Sequence, residues 1–348
     1  MSTVDVVIPC YRYGSVLPTA VRSVLDQPGV DVRVLVIDDA SGDGSADVAR
    51  SLASADSRVS VIEHRVNKGH IATYNEGLLD WAGGDYCVLL SADDALTPGA
   101  LGRAVALLDA HPEVGFVYGR PVHWDGSEPL PTARTMVTGT TVYKGHSWLR
   151  RRFMMGDGCI TSPEVVVRTS LHHQVGGYDP ELPYTGDIEL WMRMALHADV
   201  GYLRGVDQAY YRVHGSSMTD KDFPAAGVRS LRQRLAAYEA LLARADGMLP
   251  DAPMLDLRVR RVLAKDALRR AGRAYDKGRA DVDPVDELVD FAFGSYPDAA
   301  RLPEWRTLRL RQRLGASRTK ALRPLVFTAA ARRAREIYRV NRWQRTGV

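Results

Sequence analysis

The sequence predicts an α/β fold in which a mainly parallel sheet carries helices on both faces, followed by a helical extension. Two observations lead there. From Val4 to Gly119, short runs rich in β-branched and aliphatic residues alternate with segments of helical period. Three of those runs, Val6-Val7-Ile8, Val34-Leu35-Val36-Ile37 and Tyr86-Cys87-Val88-Leu89-Leu90, end in polar residues at their carboxyl ends, where ligands of open α/β sheets bind.

The first strand runs to Pro9 and the first helix from Ser15 to about Gln27, with Pro18 in its opening turn, where a missing N–H costs nothing. A strand follows over Val32 to Asp38, then a helix near Ser45 to Leu52 and a strand over Val59 to Glu63. The order continues with a helix over Gly69 to Trp81, a strand over Tyr86 to Ser91, a helix over Thr97 to Ala110 opened by Pro98, and a strand over Val114 to Tyr118. Beyond Gly119 the pattern gives way to Gly-, Pro- and Thr-rich stretches, read as loops and short mixed strands of the kind that carry acceptor-binding residues. From about Ala225, the spacing of Val228, Leu231, Leu235, Tyr238 and Leu242 predicts helices burying one stripe. The expected organisation is a domain over 1–220, halved at 119, and a helical extension over 221–348 with a basic tail.

The bulk composition narrows the possibilities. A chain of 348 residues, 45% hydrophobic and 25% charged, is ordinary for a globular protein, and its net charge is only +4. Cys10, Cys87 and Cys159 follow no metal or disulfide spacing and read as reduced thiols of a cytoplasmic protein. No signal-peptide pattern opens the chain, and no apolar run approaches the ~20 residues that span a bilayer.

Adjacent carboxylates at a strand's carboxyl end, as in Asp93-Asp94, can hold a divalent cation, and that cation can hold a diphosphate; they can equally cap the helix that follows. Asp38-Asp39-Ala40-Ser41 ends another strand, where a carboxylate can accept hydrogen bonds from a base or ribose or cap the next helix. Tyr11 can stack on a base or pack on the first helix.

Together these motifs resemble a known family. Pro9-Cys10-Tyr11, Ile37-Asp38-Asp39-Ala40-Ser41, Asn67-Lys68-Gly69 with Asn75, and Ser91-Ala92-Asp93-Asp94 are similar in order and spacing to the signatures of family 2 glycosyltransferases, which have the GT-A fold. Gly176-Gly177-Tyr178-Asp179, Gly186-Asp187-Ile188-Glu189-Leu190-Trp191 and Tyr211-Arg212-Val213-His214 continue the resemblance, which ends near Thr219.

The resemblance implies an inverting, metal-dependent transfer of a sugar from a nucleotide-sugar donor, expected to be UDP-linked, to a carbohydrate-containing or small-molecule acceptor. Pro9, Tyr11 and Asp39 then stand where the family holds the base, Asp93 where it meets ribose or metal-bound phosphate, and Asp94 where it ligates Mn2+ or Mg2+. Lys68 and Asn75 belong to the donor-binding set, His214 completes the metal site or contacts the diphosphate, and Asp187 is the catalytic base. The chain departs from the family where Gly186 replaces the acid that commonly precedes the base. Glu189 competes with Asp187 for the role of base, but in one helical turn the two point about 200° apart at ~100° per residue. Asp157 is a candidate facing the acceptor, and Trp191 reads as core. The absence of a Gln-x-x-Arg-Trp segment favours addition of one sugar over polymerisation.

Other classes fit less well. A nucleotide-sugar-binding protein without transfer activity is the alternative that Gly186 raises. A nucleotidyltransferase is opposed by the loop Cys10 to Ser15, which has no glycine run, and a dinucleotide-binding dehydrogenase by the lack of Gly-x-Gly-x-x-Gly after the first strand. In the tail, Lys320, Arg323, Arg332, Arg333, Arg335, Arg339 and Arg342 face Glu336 alone, a pattern of a solvated helix docked by a narrow stripe or of a surface resting on anionic lipid at the cytoplasmic face. Nucleic-acid binding is not expected, because the net charge is almost balanced and no binding module is recognised.

Overall fold

A computed structural model of the chain describes residues 1–215, 227–322, 338 and 342–348. The chain divides into two compact units, one of residues 1–149, 158–214 and 343–348, the other of 150–157 and 215–342.

The first unit is built on a nine-stranded sheet. Its opening strands are β1 (Thr3–Cys10), β2 (Asp31–Asp38), β3 (Val59–Glu63) and β4 (Tyr86–Leu89), separated by α1 (Leu17–Leu25), α2 (Ser45–Ala55) and α3 (His70–Asn75). β1 pairs in parallel with β2 and β4, and β2 with β3. This is why the amino-terminal strands read as unbroken apolar runs: a parallel strand with helices on both faces is buried on both. Val4, Val6, Val7 and Ile8 have no exposed surface. Asp5 interrupts that run, and its buried carboxylate accepts two hydrogen bonds from Arg33 and one each from the Gly83 and Gly84 N–H groups.

After β4 the sheet turns mixed. β5 (Ala95–Leu96), α4 (Ala100–Ala110), β6 (Val114–Trp124), β7 (Gly139–Tyr143), α5 (Gly145–Met155), β8 (Val166–Arg168), α6 (Thr169–Val175), α7 (Gly186–His197) and β9 (Asp199–Arg212) follow. The strand order is β3-β2-β1-β4-β8-β6-β9-β5, with β7 also on β9. β8 runs antiparallel to both β4 and β6, while β6 and β9 are parallel.

Several elements differ from expectation. The helix expected over Gly69 to Trp81 is α-helical only to Asn75 and continues as a π-helical turn over Glu76–Trp81. There Gly77 lies against β1 so closely that a Cβ would stand 2.3 Å from a Val7 methyl. Pro98 does not open α4: left-handed Gly99 does, at φ 72°, while the Thr97 hydroxyl donates to the Asp207 carbonyl. β6 extends past Tyr118 to Trp124 because β9 pairs along its whole length.

The second unit contains α8 (Arg229–Arg244), α9 (Ala252–Asp276), α10 (Val285–Ser295) and α11 (Pro303–Leu322). Of the stripe expected in α8, Leu231 and Tyr238 are fully buried together with Ala237 and Leu241, while Leu235 and Leu242 sit at its margin. Asp266 of α9 accepts from both Arg234 and Arg270. Most of the basic tail, Arg323 through Arg339, and the motif continuation Ser216 to Thr219 lie outside the described residues. Among the described residues no helix is long and apolar enough to cross a membrane.

Candidate functional site

The ends of β1 and β2 are locked together by polar contacts. The Asp39 N–H donates to the Cys10 carbonyl, and the Arg12 N–H, on a residue at φ 62°, donates to the Ser41 hydroxyl. Ser41 in turn donates to Asp38, so Asp38 is a buried brace of the turn. Pro9 is half-buried within β1, while Tyr11 stands exposed with the Arg12 guanidinium 5.0 Å above its ring centre.

Asp39 organises the loop that carries Lys68. Its Oδ1 accepts from the Lys68 N–H at 2.8 Å and meets His64 Nδ1 at 2.7 Å; its Oδ2 accepts from the Gly69 N–H at 2.9 Å. The Asn67 amide donates to the Asp39 carbonyl. Burial alone would raise the Asp39 carboxyl, but these hydrogen bonds carry it below its ordinary range. A carboxylate has about four acceptor positions, so three are used and one remains on Oδ2. The Lys68 ammonium is turned to Glu76 at 2.8 Å, and His64 Nε2 meets the same carboxylate at 3.0 Å.

Asn75 is a clamp. Its side chain donates to the Tyr178 carbonyl at 2.9 Å and accepts from the Tyr178 N–H at 2.7 Å. This explains Gly177 of the Gly-Gly-Tyr motif, where a Cβ would lie 2.2 Å from Asn75 Oδ1. Gly176 beside it adopts φ 84°, a conformation open to glycine. His70 Nε2 donates to the Pro183 carbonyl at 2.8 Å, and the rings of Tyr74 and Tyr178 meet edge to face at 5.4 Å. α3 thereby fixes the segment that leads into α7 and Asp187.

On α7 the two acids separate as the helical geometry requires. Glu189 is fully buried and holds Arg193 through both carboxylate oxygens, and Arg193 also donates to the carbonyls of Val175 and Gly177. Asp187, in the first turn, is half-buried and makes no such pair among the described residues. Burial pushes its carboxyl up to about 6 against the opposing effect of the nearby backbone N–H groups. Trp191 lies in the core.

The Asp93-Asp94 turn is held by β9. β5 pairs with Tyr210 and Ala209, and the buried Asp94 Oδ1 accepts from the Arg212 N–H at 2.9 Å. Two residues past β9, His214 Nε2 stands 2.9 Å from Asp93 Oδ2 and 3.4 Å from the Tyr13 hydroxyl. Burial and the neighbouring Asp93 raise the Asp94 carboxyl well above its ordinary range. Among the described residues no three His, Cys, Asp or Glu side chains are gathered at metal-binding spacing. Asp157 belongs to the second compact unit.

Burial raises the Tyr74 hydroxyl above the usual range, and the charges of Asp93, Asp187 and Asp94 add to the effect. Sequence reasoning missed Tyr74, Tyr13 beside His214, and Glu164, a buried carboxyl that also feels Asp187. Tyr13 follows the Pro9-Cys10-Tyr11 motif by two residues, the one available signal; Glu164 belongs to no motif.

The parallel amino-terminal strands, the mixed strands after β4 and the polar groups gathered beyond the strand ends define a GT-A-like α/β fold. Residues 5–167 match the model of glycosyl transferase family 2. It is 26% identical over 211 residues to an uncharacterised protein of Mycobacterium tuberculosis, a match covering 58% of this chain and 64% of that one. It is also 26% identical over 225 residues to the putative glycosyltransferase EpsE of Bacillus subtilis, covering 62% and 73%. Among solved structures, residues 1–349 of TarS from S. aureus in complex with UDP-GlcNAc superpose with a TM-score of 0.62 at 16% identity, covering 91% of this chain and 89% of that one. The mannosyltransferase PcManGT from Pyrobaculum calidifontis in complex with GDP-Man and Mn2+ gives 0.55 at 19% identity, covering 92% and 86%. At these identities the superpositions speak for the fold.

Proposed function

We propose that the protein transfers one sugar from a nucleoside-diphosphate sugar to an acceptor hydroxyl by a single displacement that inverts the anomeric centre. The observation that carries this reading is the pairing of β5 with β9, which brings Asp93 to His214, together with the Asn75 clamp on Tyr178 that holds the segment leading to Asp187.

Asp39 suits the base end. Its remaining acceptor position on Oδ2 can take a ring N–H, which uracil and guanine carry and cytosine does not. The exposed Tyr11 ring at the end of β1 can stack on that base. The solved relatives in fold hold UDP-GlcNAc or GDP-Man, which supports a nucleotide-sugar donor; UDP is the nucleotide we assign.

Asp93, Asp94 and His214 offer two carboxylates and an imidazole, a donor set suited to Mn2+ or Mg2+. The adjacent carboxylates of buried Asp94 and half-buried Asp93, with the Asp94 carboxyl raised by burial and by Asp93, fit a bound cation in chemistry. When bound, such an ion would supply Lewis-acid stabilisation to the departing diphosphate. Asp187 takes the proton of the acceptor hydroxyl as the new bond forms, and a base whose carboxyl sits at about 6 is ionised at neutral pH while remaining basic enough to accept that proton. Glu189 is committed to Arg193 and serves the fold.

The test is release of nucleoside diphosphate from a panel of UDP- and GDP-sugars with Mn2+ and a mixed acceptor set, for the unaltered chain and for Asp187→Asn. Turnover with a UDP-sugar that falls sharply in the variant supports the reading. Tight donor binding with no turnover over the whole panel would favour a binding protein instead.

A further inference from the structure

We propose that the outward face of α11, with the Phe293 ring of α10 beside it, is a docking surface for an anionic lipid bilayer.

Helical geometry sorts the residues of α11 onto two sides. One side faces protein: Leu308 is fully buried, Arg311 forms an ion pair with Asp276 of α9, and Glu304 forms one with Arg269 of the same helix. On the opposite side, Trp305, Arg306, Arg309, Leu310 and Arg313 share an arc of about 140° at ~100° per residue. Arg306, Arg309, Leu310 and Arg313 are all exposed, Leu310 to 58%. Among the described residues none of these three arginines is paired with a carboxylate, in contrast to Arg311 on the inner side. The Arg309 guanidinium lies 5.5 Å from the centre of the Trp305 ring, and that ring meets the exposed Phe293 edge to face at 4.9 Å. Three cations, a leucine and two aromatic rings are thereby presented together.

That mixture selects a bilayer over other polyanions. Phosphate groups alone would call only for the cations, whereas the leucine and the rings gain by leaving water. Helices that lie in the lipid interface combine arginines with Trp, Phe and Leu in this way, and they need no span. The charge of the unit favours the same occupant. Residues 150–157 and 215–342 hold 30 Lys and Arg against 17 Asp and Glu, while the rest of the chain holds 16 against 25. The near-neutral total therefore conceals one strongly basic unit, which a negative lipid surface attracts. The stripe ends before Arg323, so this surface is separate from the basic tail.

The experiment is co-sedimentation of the full chain with vesicles of phosphatidylcholine alone or of phosphatidylcholine and phosphatidylglycerol in equal parts, at low and high salt. The proteins compared are the unaltered chain, a triple variant Arg306→Gln, Arg309→Gln and Arg313→Gln, the same three positions changed to Lys, and Leu310→Gln. Because all four positions are exposed, each variant should keep the unfolding midpoint of the unaltered chain. The unaltered chain should bind the anionic vesicles at low salt and the neutral ones far more weakly. The triple Gln variant should lose on the order of a hundredfold in affinity, the Lys variant should keep most of it, and Leu310→Gln should lose about tenfold. Failure of the unaltered chain to bind anionic vesicles, equal binding to neutral ones, or undiminished binding by the triple Gln variant would overturn the assignment. Loss in the triple Gln variant with none in Leu310→Gln would mark a surface for polyanions such as RNA, and would overturn it too.

Discussion

His214 Nε2 stands 2.9 Å from Asp93 Oδ2, although 121 residues separate them in the chain. The contact exists because β5, immediately after the Asp93-Asp94 turn, pairs with the last residues of β9, from which His214 follows. The pairing of the two-residue β5 with the far longer β9 thus brings Asp93 and His214 together.

That assembly is expected to depend on a divalent ion. Stripping the protein with a chelator should lower turnover by at least tenfold, and added Mn2+ should restore it. In Asp94→Ala restoration should fail at Mn2+ concentrations that saturate the unaltered chain. Full activity of the stripped protein would contradict the cation reading.

Asp187→Asn removes a base while keeping shape and hydrogen-bonding capacity, so kcat should fall by about 10²- to 10⁴-fold while UDP affinity changes little. The pH dependence follows from the raised carboxyl. A group at about 6 is protonated below that pH and cannot accept a proton, so kcat/KM should fall about tenfold per pH unit below 6 and level off above it. A profile flat from pH 4.5 to 7 would argue against Asp187 as base.

Glu189 and Asp187 lie two residues apart and should fail in different ways. Glu189→Ala leaves the Arg193 guanidinium without its buried carboxylate and should cost about 3–5 kcal/mol in denaturant unfolding. Asp187→Ala, with no such partner, should cost far less stability and far more activity.

Asp39 should control recognition of the base. Asp39→Ala removes both the anchor of Lys68 and Gly69 and the acceptor left on Oδ2, so UDP affinity should fall on the order of tenfold. The preference for UDP over CDP should shrink with it, which competition binding would measure.

Glu164 makes stability depend on pH. Its carboxyl is raised from 4.5 to about 7 in the folded chain, so between those values the folded state binds more protons than the unfolded state. Stability is then fully present below about 4.5 and declines as pH rises through 7. Glu164→Gln should therefore gain stability relative to the unaltered chain as pH rises, on the order of 1–3 kcal/mol at pH 8. Parallel stability curves for the two proteins from pH 5 to 8 would show that this carboxyl does not carry the effect.

The amino-terminal strands were legible because parallel strands buried on both faces leave continuous apolar runs, as in Val34 to Ile37. The mixed half was not, since β8 is three residues long and earns its place only by pairing with β4 and β6. The π-helical turn after Asn75 keeps a helical period and so reads as a continuing helix. In the site, Asp39, Asp93, Asp94, Asp187 and His214 stood out because they sit in motifs at element ends. Asn75 stood out as well, yet its amide serves the Tyr178 backbone. Glu164 and Tyr74 gain their significance only from what the fold places beside them, which no local pattern records.

The most direct measurement is a crystal structure of the full chain with Mn2+ and an intact UDP-sugar. The account requires the diphosphate at Asp93 and Asp94 and the Asp187 carboxylate on the opposite face of the anomeric carbon. A donor bound away from those aspartates, or a sugar whose anomeric carbon Asp187 cannot approach from the side opposite the diphosphate, would contradict it.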